Sequence, residues 1–522
     1  MPLSKIEFRP GVFKDGTQYT AEGTWYDSDK IRFRKGRPEK IGGWVQFVSS
    51  TFRGIARSLF DWVSEAGTKY LGIGTNLKLY VVEGNAYSDI TPIRRSVTLG
   101  TDPFTVTNGS TTVTVADTNH GAALNDFVTF SGATGPIGGV PASDLNQELQ
   151  VTQVVNPNSY TVEVATTATS NATGGGASVD ADYQIQTGLN AFVGSTGWGA
   201  GTWGSGGWGS TTPTSAAGQL RLWSQDEFGE DLVACVRGGG VYYWDSSSGT
   251  SSRAVALSDL AGSSDAPSVA LQVMVSDVDR HVICFGANPI GSTDLDPLFV
   301  RWSDQEDAAN WTPAIDNTAG GQRVSTGSLI IGALKTRQEI LIWTDSGVES
   351  MRFGGDFVFN FQVVNRGVSM ISPNAAVNAN GVVYFMDRGG FYIYNGAVQP
   401  LPCPVQDFVF DSINLAQSYK VFAATNIDFN EVMWFYPVGD GDTEITRYVK
   451  YNYVDQVWDV GTFERTAWTS ANSRQNPIAA SSENGGDNNV TYFHEVGDDA
   501  DGDAMTAYIE SGDIDVADGE DF

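Results

Sequence analysis

The 522-residue chain has few residues suited to redox, metal or acid–base chemistry. It holds three cysteines, Cys235, Cys284 and Cys403, and three histidines, His120, His281 and His494, all far apart. An odd cysteine count with no CxxC pair argues against a disulfide framework or a thiolate metal site. Histidine catalysis needs partners within hydrogen-bond reach, and nothing beside these three in sequence supplies them. No G-x-S-x-G, H-E-x-x-H or P-loop motif is present. Residues 343–351 (WTDSGVESM) come near a sialidase Asp-box but lack its spacing and closing aromatic. The sequence predicts no catalytic residue, no metal site and no cofactor, and a protein that is not an enzyme.

Positive charge is also scarce. Lys and Arg number 31 against 61 Asp and Glu, a formal net charge of -30. Holding duplex DNA by its backbone requires cations that neutralise phosphates, so the chain as a whole is a poor DNA clamp. Long apolar runs are missing: no stretch approaches the roughly 20 residues of a membrane helix, and residues 1–15 lack a signal peptide's apolar run. These features predict a soluble product of a cytoplasm with no membrane segment. Helical periodicity is nearly absent, which excludes coiled coils and bundles. Disorder is excluded by 14 Trp, 19 Tyr and 27 Phe.

What remains is β structure. Apolar run, tight Gly turn and aromatic run recur at residues 69–73 with 78–82, 232–236 with 241–244, and 382–386 with 391–394. A further version covers 431–436, 447–453 and 457–460. Between them lie intervals long enough for one or two more strands, so about four strands per unit are predicted, as in a β-propeller blade. A series of stacked β-sandwiches has the same period. Residues 96–182 differ in texture: they contain no Trp, and no Lys or Arg occurs between Arg95 and Arg221. Strand-like stretches at 104–107, 111–115, 126–130, 148–155 and 159–164 predict a small β-sandwich or barrel inserted into a loop, with 171–176 as a flexible exit. The predicted organisation is an all-β, propeller-like body over 1–95 and 183–522, interrupted by the 96–182 insert and ending in an acidic segment.

Three local features invite a functional reading. Residues 197–210 (GWGAGTWGSGGWGS) place Trp198, Trp203 and Trp208 five apart among glycines. Those indoles could pack into the body, anchor a protein interface or stack on sugar. Residues 30–40 (KIRFRKGRPEK) form a basic strand and turn in which alternation puts Arg32 and Arg34 on one face, followed by Lys35 and Arg37 at the turn. The favoured reading is a half-buried strand offering its arginine face to acidic protein, at a subunit or adaptor interface; a solvated face and phosphate contact are the alternatives. Residues 1–60 carry 11 cations and 6 acids, whereas 13 acids and no cation follow Arg474. That asymmetry suits contact between the basic end of one subunit and the acidic end of the next, or a solvated acidic tail. Residues 498–503 (DDADGD) and 439–442 (GDGD) lack the ligand spacing of a calcium loop and read as solvated acidic turns.

Residues 10–44 (PGVFKDGTQYTAEGTWYDSDKIRFRKGRPEKIGGW) resemble the opening of propeller-like tail nozzle proteins of short-tailed bacteriophages. That family is also called tail tubular protein B or packaged-DNA-stabilisation protein. The likeness returns at 298–313 (LFVRWSDQEDAANWTP), 341–345 (LIWTD), 401–405 (LPCPV), 465–468 (RTAW) and 494–511 (HEVGDDADGDAMTAYIES). None of these motifs carries chemistry. The resemblance implies a structural virion protein of the viral tail, assembled in the host cytoplasm. It implies six copies in a ring below a portal-side adaptor, next to tail fibres or a spike, retaining packaged DNA and conducting it without sequence preference. A conduit for a polyanion should have an acidic rather than a cationic wall. The main alternative role is a receptor-binding or fibre-attachment propeller of the tail. Proteins of this kind continue past residues 509–522 with another strand, which leads to the expectation that the last blade is completed by another chain or is missing.

Overall fold

The computed structural model describes residues 7–192, 219–355, 358–439, 443–482 and 488–514. Almost all regular structure is β, and seven sheets of four antiparallel strands make up the body. Blade 1 is Ala56–Val63, Lys69–Thr75, Leu79–Glu83 and Ala86–Asp89; blade 2 runs from Trp223–Phe228 to Val255–Ala256. Blade 3 opens with Gln272–Val275, blade 4 with Ile330–Lys335, blade 5 with Ala376–Ala379 and blade 6 with Phe422–Asn426. Blade 7 combines Arg465–Thr469, Ile478–Ser481 and Thr491–His494 with Trp44–Gln46 from the other end of the chain.

The second strand of each blade is sandwiched between neighbouring blades, and its sequence shows it. Val282–Phe285, Ile340–Thr344 and Glu431–Pro437 are buried at every position. Such strands read as short apolar runs rather than as alternation. Each gap between blades holds its own apolar cluster. Trp62, Tyr70, Leu232 and Trp244 fill the gap between blades 1 and 2, Trp343 and Phe385 that between 4 and 5, and Phe391 and Trp434 that between 5 and 6. Each fully buried aromatic contributes on the order of 2–3 kcal/mol.

The first strands of successive blades contact one another in cyclic order, except that blade 4's first strand meets the second strand of blade 3, so the seven sheets close into a propeller-like ring. Polar side chains tie the inner rim. Gln225 Nε2 donates to Ser58 Oγ (2.9 Å) between blades 2 and 1, and Gln272 exchanges two hydrogen bonds with the Ala333 backbone between blades 3 and 4. Ser473 N–H donates to Asp61 Oδ2 (2.9 Å) between blades 7 and 1. The last blade is completed within the chain: Trp44–Gln46 pairs with Thr491–His494. The expectation of a missing or borrowed strand is corrected accordingly. A three-stranded sheet of Arg9–Val12, Thr24–Asp29 and Tyr508–Ser511 lies against the outer strand of blade 6.

Between blades 1 and 2 the chain leaves the ring to form one eight-stranded sheet, bounded by Ile93–Thr98 and Asp180–Gln184. Glu148–Asn156 turns the corner of this curled sheet, pairing with Phe127–Ser131 through its first part and Ser159–Glu163 through the rest. A separate core around Phe104, Phe130, Val151 and Tyr160 fills the curl. Residues 171–176, expected as a flexible exit, include the strand Ala172–Gly174, which pairs with Phe104–Val106. Ion pairs seat the insert on the ring. Lys78 of blade 1 bridges its neighbour Asp89 and Glu148 of the insert, both at 2.6 Å, and Arg253 meets Asp89 at 2.9 Å.

Candidate functional site

The basic element is a β-hairpin of Ile31–Arg34 and Arg37–Lys40, with Arg34 paired opposite Arg37. Its two turn residues, Lys35 (φ 52°) and Gly36 (φ 75°), both lie in the left-handed region. That is the two-residue turn whose twist matches paired strands, and glycine at its second position removes the steric cost there. Lys35 N–H donates to Asp455 Oδ2 (3.0 Å) of the loop before the last strand of blade 6, which fixes the tip. Arg34, Lys35 and Arg37 are exposed. Among the described residues they make one ion pair, Arg34 with Glu39 at 3.9 Å, both well exposed, and such a pair is worth little.

Arg32 differs, and its place on the candidate surface is corrected. The residue is 3% exposed, and its guanidinium packs over the Phe429 ring at 3.4 Å. Nη1 donates to Glu495 Oε2 (3.0 Å), and Nε lies 3.2 Å from Glu431 Oε1. Alternation correctly separates Arg32 from Ile31 and Phe33, but the whole hairpin base is laid against blade 6, so the face opposite Phe33 is buried as well. Lys450 completes the cluster, with Nζ 3.1 Å from Glu431 Oε1 and 3.5 Å from Asp459 Oδ1. Burial works against the Arg32 charge, but Glu431 and Glu495 outweigh it and push its pKa up. Burial raises Asp459 to about 7 against the opposing pull of Lys450. Two cations thus face three acids, and burial, helped by the neighbouring Glu431, makes Asp459 the acid of the cluster whose charge is least favoured.

The basic and acidic ends of the chain therefore meet inside one molecule. Besides Arg32 with Glu495, Gly42 N–H donates to Glu495 Oε2 (3.0 Å) and Lys40 Nζ to the Asp498 carbonyl (2.7 Å). The charge asymmetry expected to join neighbouring subunits works here in closing the ring. Within residues 498–503, Asp499 accepts from Gly502 N–H and Asp501 from Gln46 N–H. No group of three or more metal-ligating side chains occurs among the described residues. Trp198, Trp203 and Trp208 lie outside the described residues.

On the axis, the first strands of all seven blades line a cavity of about 490 Å³. Its charged lining residues are paired. Lys335 Nζ lies 2.9 Å from Asp226 Oδ2, and Arg57 Nη1 donates to Glu444 Oε1 (2.7 Å) at the cavity edge. Burial opposes the Glu444 charge, yet Arg57 and Lys420 hold its pKa down to about 2. These isolated charges, hundreds of residues apart in the chain, carry no local sequence signal. The wall of this cavity is balanced, not acidic; the acidic wall expected of a DNA conduit concerned a tube of several copies, not the ring of one chain.

The three histidines do not converge. His120 Nε2 lies 2.9 Å from the Asn156 carbonyl in the insert. His494 is buried against Arg465, whose Nε donates to it (3.1 Å); burial first, then this charge, lowers its pKa far below the ordinary value, so it is neutral. His281 stands between Asp279 (Nδ1 to Oδ2, 2.6 Å) and Thr318 (Nε2 to Oγ1, 2.9 Å), an order that resembles a nucleophile–base–acid chain. The Thr318 hydroxyl, however, donates to Asp304 Oδ1 (2.7 Å), which directs its proton away from His281. Cys235 and Cys284 are buried, and all three cysteines are free.

No family model and no curated protein matches the chain. Among solved structures, the phage phi92 endosialidase aligns over 100% of this chain and 76% of its own at 12% identity and a TM-score of 0.19. Kluyveromyces marxianus Hsv2 aligns over 56% and 82% at 8% identity and a TM-score of 0.31. The extracellular domain of BT4673 from B. thetaiotaomicron aligns over 80% and 40% at 9% identity and a TM-score of 0.28. At these scores the likenesses carry no functional argument.

Proposed function

We propose that the chain is a structural subunit of a short bacteriophage tail, and within it a nozzle subunit that retains packaged DNA and conducts it at ejection. The family resemblance of the sequence supplies the class. The observation that carries the reading is the exposed tip of Arg34, Lys35 and Arg37 on a chain of net charge -30. The ring closes on its own ends and leaves this cationic tip free for an acidic surface of another copy or of an adaptor.

The conduit in this reading runs between copies. Spread along inner strands of roughly five residues at about 3.3 Å each, the 490 Å³ open to the centres of water molecules is about 6 Å across, or roughly 9 Å wall to wall with a water radius of about 1.4 Å added on each side. A duplex, whose major groove alone is about 12 Å wide, does not fit. Six copies around a wider bore, facing it with surfaces rich in acid, would repel phosphates and let DNA slide.

Antibody labelling of purified virions, imaged by negative-stain electron microscopy, tests the assignment. Label on an axial stub at one tail vertex is expected. Label on peripheral appendages would transfer the chain to a receptor-binding or fibre-attachment role, and its absence from particles would overturn the virion reading.

A further inference from the structure

Where the insert joins blade 2, a cavity of about 350 Å³ is lined by Arg94, Gln186, Arg221, Gly239, Gly240 and Tyr242, among others. Arg221 is 4% exposed. Its Nη2 donates to the Gln186 carbonyl, and its Nε has no hydrogen-bond partner. No carboxylate of the described residues pairs with it; Asp126 acts on it only through space. Arg94 is partly committed: Nε donates to the Gln184 carbonyl (3.2 Å), Nη1 and Nη2 both reach the His120 carbonyl (3.4 Å), and Nη2 lies 3.9 Å from Asp126 Oδ2, which leaves one N–H on each terminal nitrogen. The lining residues include two arginines, a phenol and no acid.

Local sequence makes room for these groups. A Cβ on Gly188 would come within 2.6 Å of Arg221 Cβ and Nε, and one on Gly240 within 2.4 Å of the Tyr242 hydroxyl. Burial pushes the Arg221 pKa down to about 10, so it still carries its charge at neutral pH. A buried charge without a counter-charge is strongly unfavourable. A guanidinium presents a fork of donors that matches a carboxylate or a phosphate in two parallel hydrogen bonds.

We propose that Arg221, Arg94 and the Tyr242 hydroxyl form a binding site for a small oxyanion, a carboxylate or a phosphate group. The anion would supply the counter-charge that Arg221 lacks within the chain. Calorimetric titration of the full chain with inorganic phosphate and, separately, with succinate, at fixed ionic strength in chloride, tests the site. Saturable binding of at least one ion is expected, weakened at least about tenfold in R94Q and in R221Q, the loss of a charge-assisted hydrogen bond. Preference for succinate assigns a carboxylate and preference for phosphate a phosphate group. R94Q alters a partly exposed side chain and decides the matter if R221Q fails to fold. No saturable binding of either ion, or unchanged affinity in R94Q, overturns the site.

Discussion

Arg32 and Arg34 are two residues apart on one strand, yet one is an internal tie and the other a surface group. Removing the first leaves Glu431 and Glu495 facing each other without their shared cation. Arg32→Met is expected to cost about 3–5 kcal/mol in chemical denaturation, the usual penalty for breaking a buried ion pair from one side. Asp459 supplies a pH signature of the same cluster. Its folded pKa, about 7, lies above the ordinary carboxylate value, so the folded state holds a proton that the unfolded state has released. Its contribution is therefore fully present below about pH 4 and is lost as pH rises toward 7. Asp459→Asn should gain on the wild type steadily as pH rises from about 4 to about 7 in urea melts, with little further gain above that. Glu444 acts in the opposite sense: its depressed pKa adds stability above about pH 4.5 that fades as pH falls toward 2. Of the buried cluster, the sequence singled out only Arg32, and its partners were illegible because Glu431 and Glu495 lie about 400 and 460 positions away and are joined to it only by the fold.

At the scale of elements, the hairpin tip can be altered without touching the cluster beneath it. Arg34→Glu, Lys35→Glu and Arg37→Glu together are expected to leave the thermal midpoint nearly unchanged, since exposed pairs contribute about 0–1 kcal/mol. In the proposed role the same triple variant fails to enter the tail, measured as tail occupancy of purified particles; full occupancy would remove the tip from the interface. The strand Trp44–Gln46 carries a different load. Val45→Pro deletes an N–H opposite Phe493 and is expected to destabilise the whole ring by on the order of 1–3 kcal/mol in a denaturant melt. The second and third strands of blades 1, 2 and 5 were readable as apolar runs separated by tight turns, and those of blade 6 as runs separated by a Gly/Asp loop. First strands such as Ala376–Ala379, with small and polar residues facing the axis, and outer strands such as Val398–Leu401 carry too little pattern to be read alone. In the insert, five strands followed from alternation, whereas Ala172–Gly174, short and glycine-bearing, did not.

For the whole molecule, composition announced an all-β body, while closure depended on which distant strands pair. Charge at this scale carries one more expectation. With a net charge of -30 and its axial cations paired, the isolated chain should not shift duplex DNA in a gel assay at physiological salt. A stable shift would point to a cationic groove and against a low-friction conduit. Ring closure also has a consequence in time. Trp44–Gln46 leaves the ribosome first, and its partner Thr491–His494 follows about 450 residues later, roughly 20–90 s at ordinary rates of synthesis. Throughout that interval the nascent chain carries an orphaned β-edge, a template for pairing with other nascent chains. A chaperone that shields the first 50 residues, or slow dilution during refolding, should therefore raise the yield of soluble protein more than any change made late in the chain.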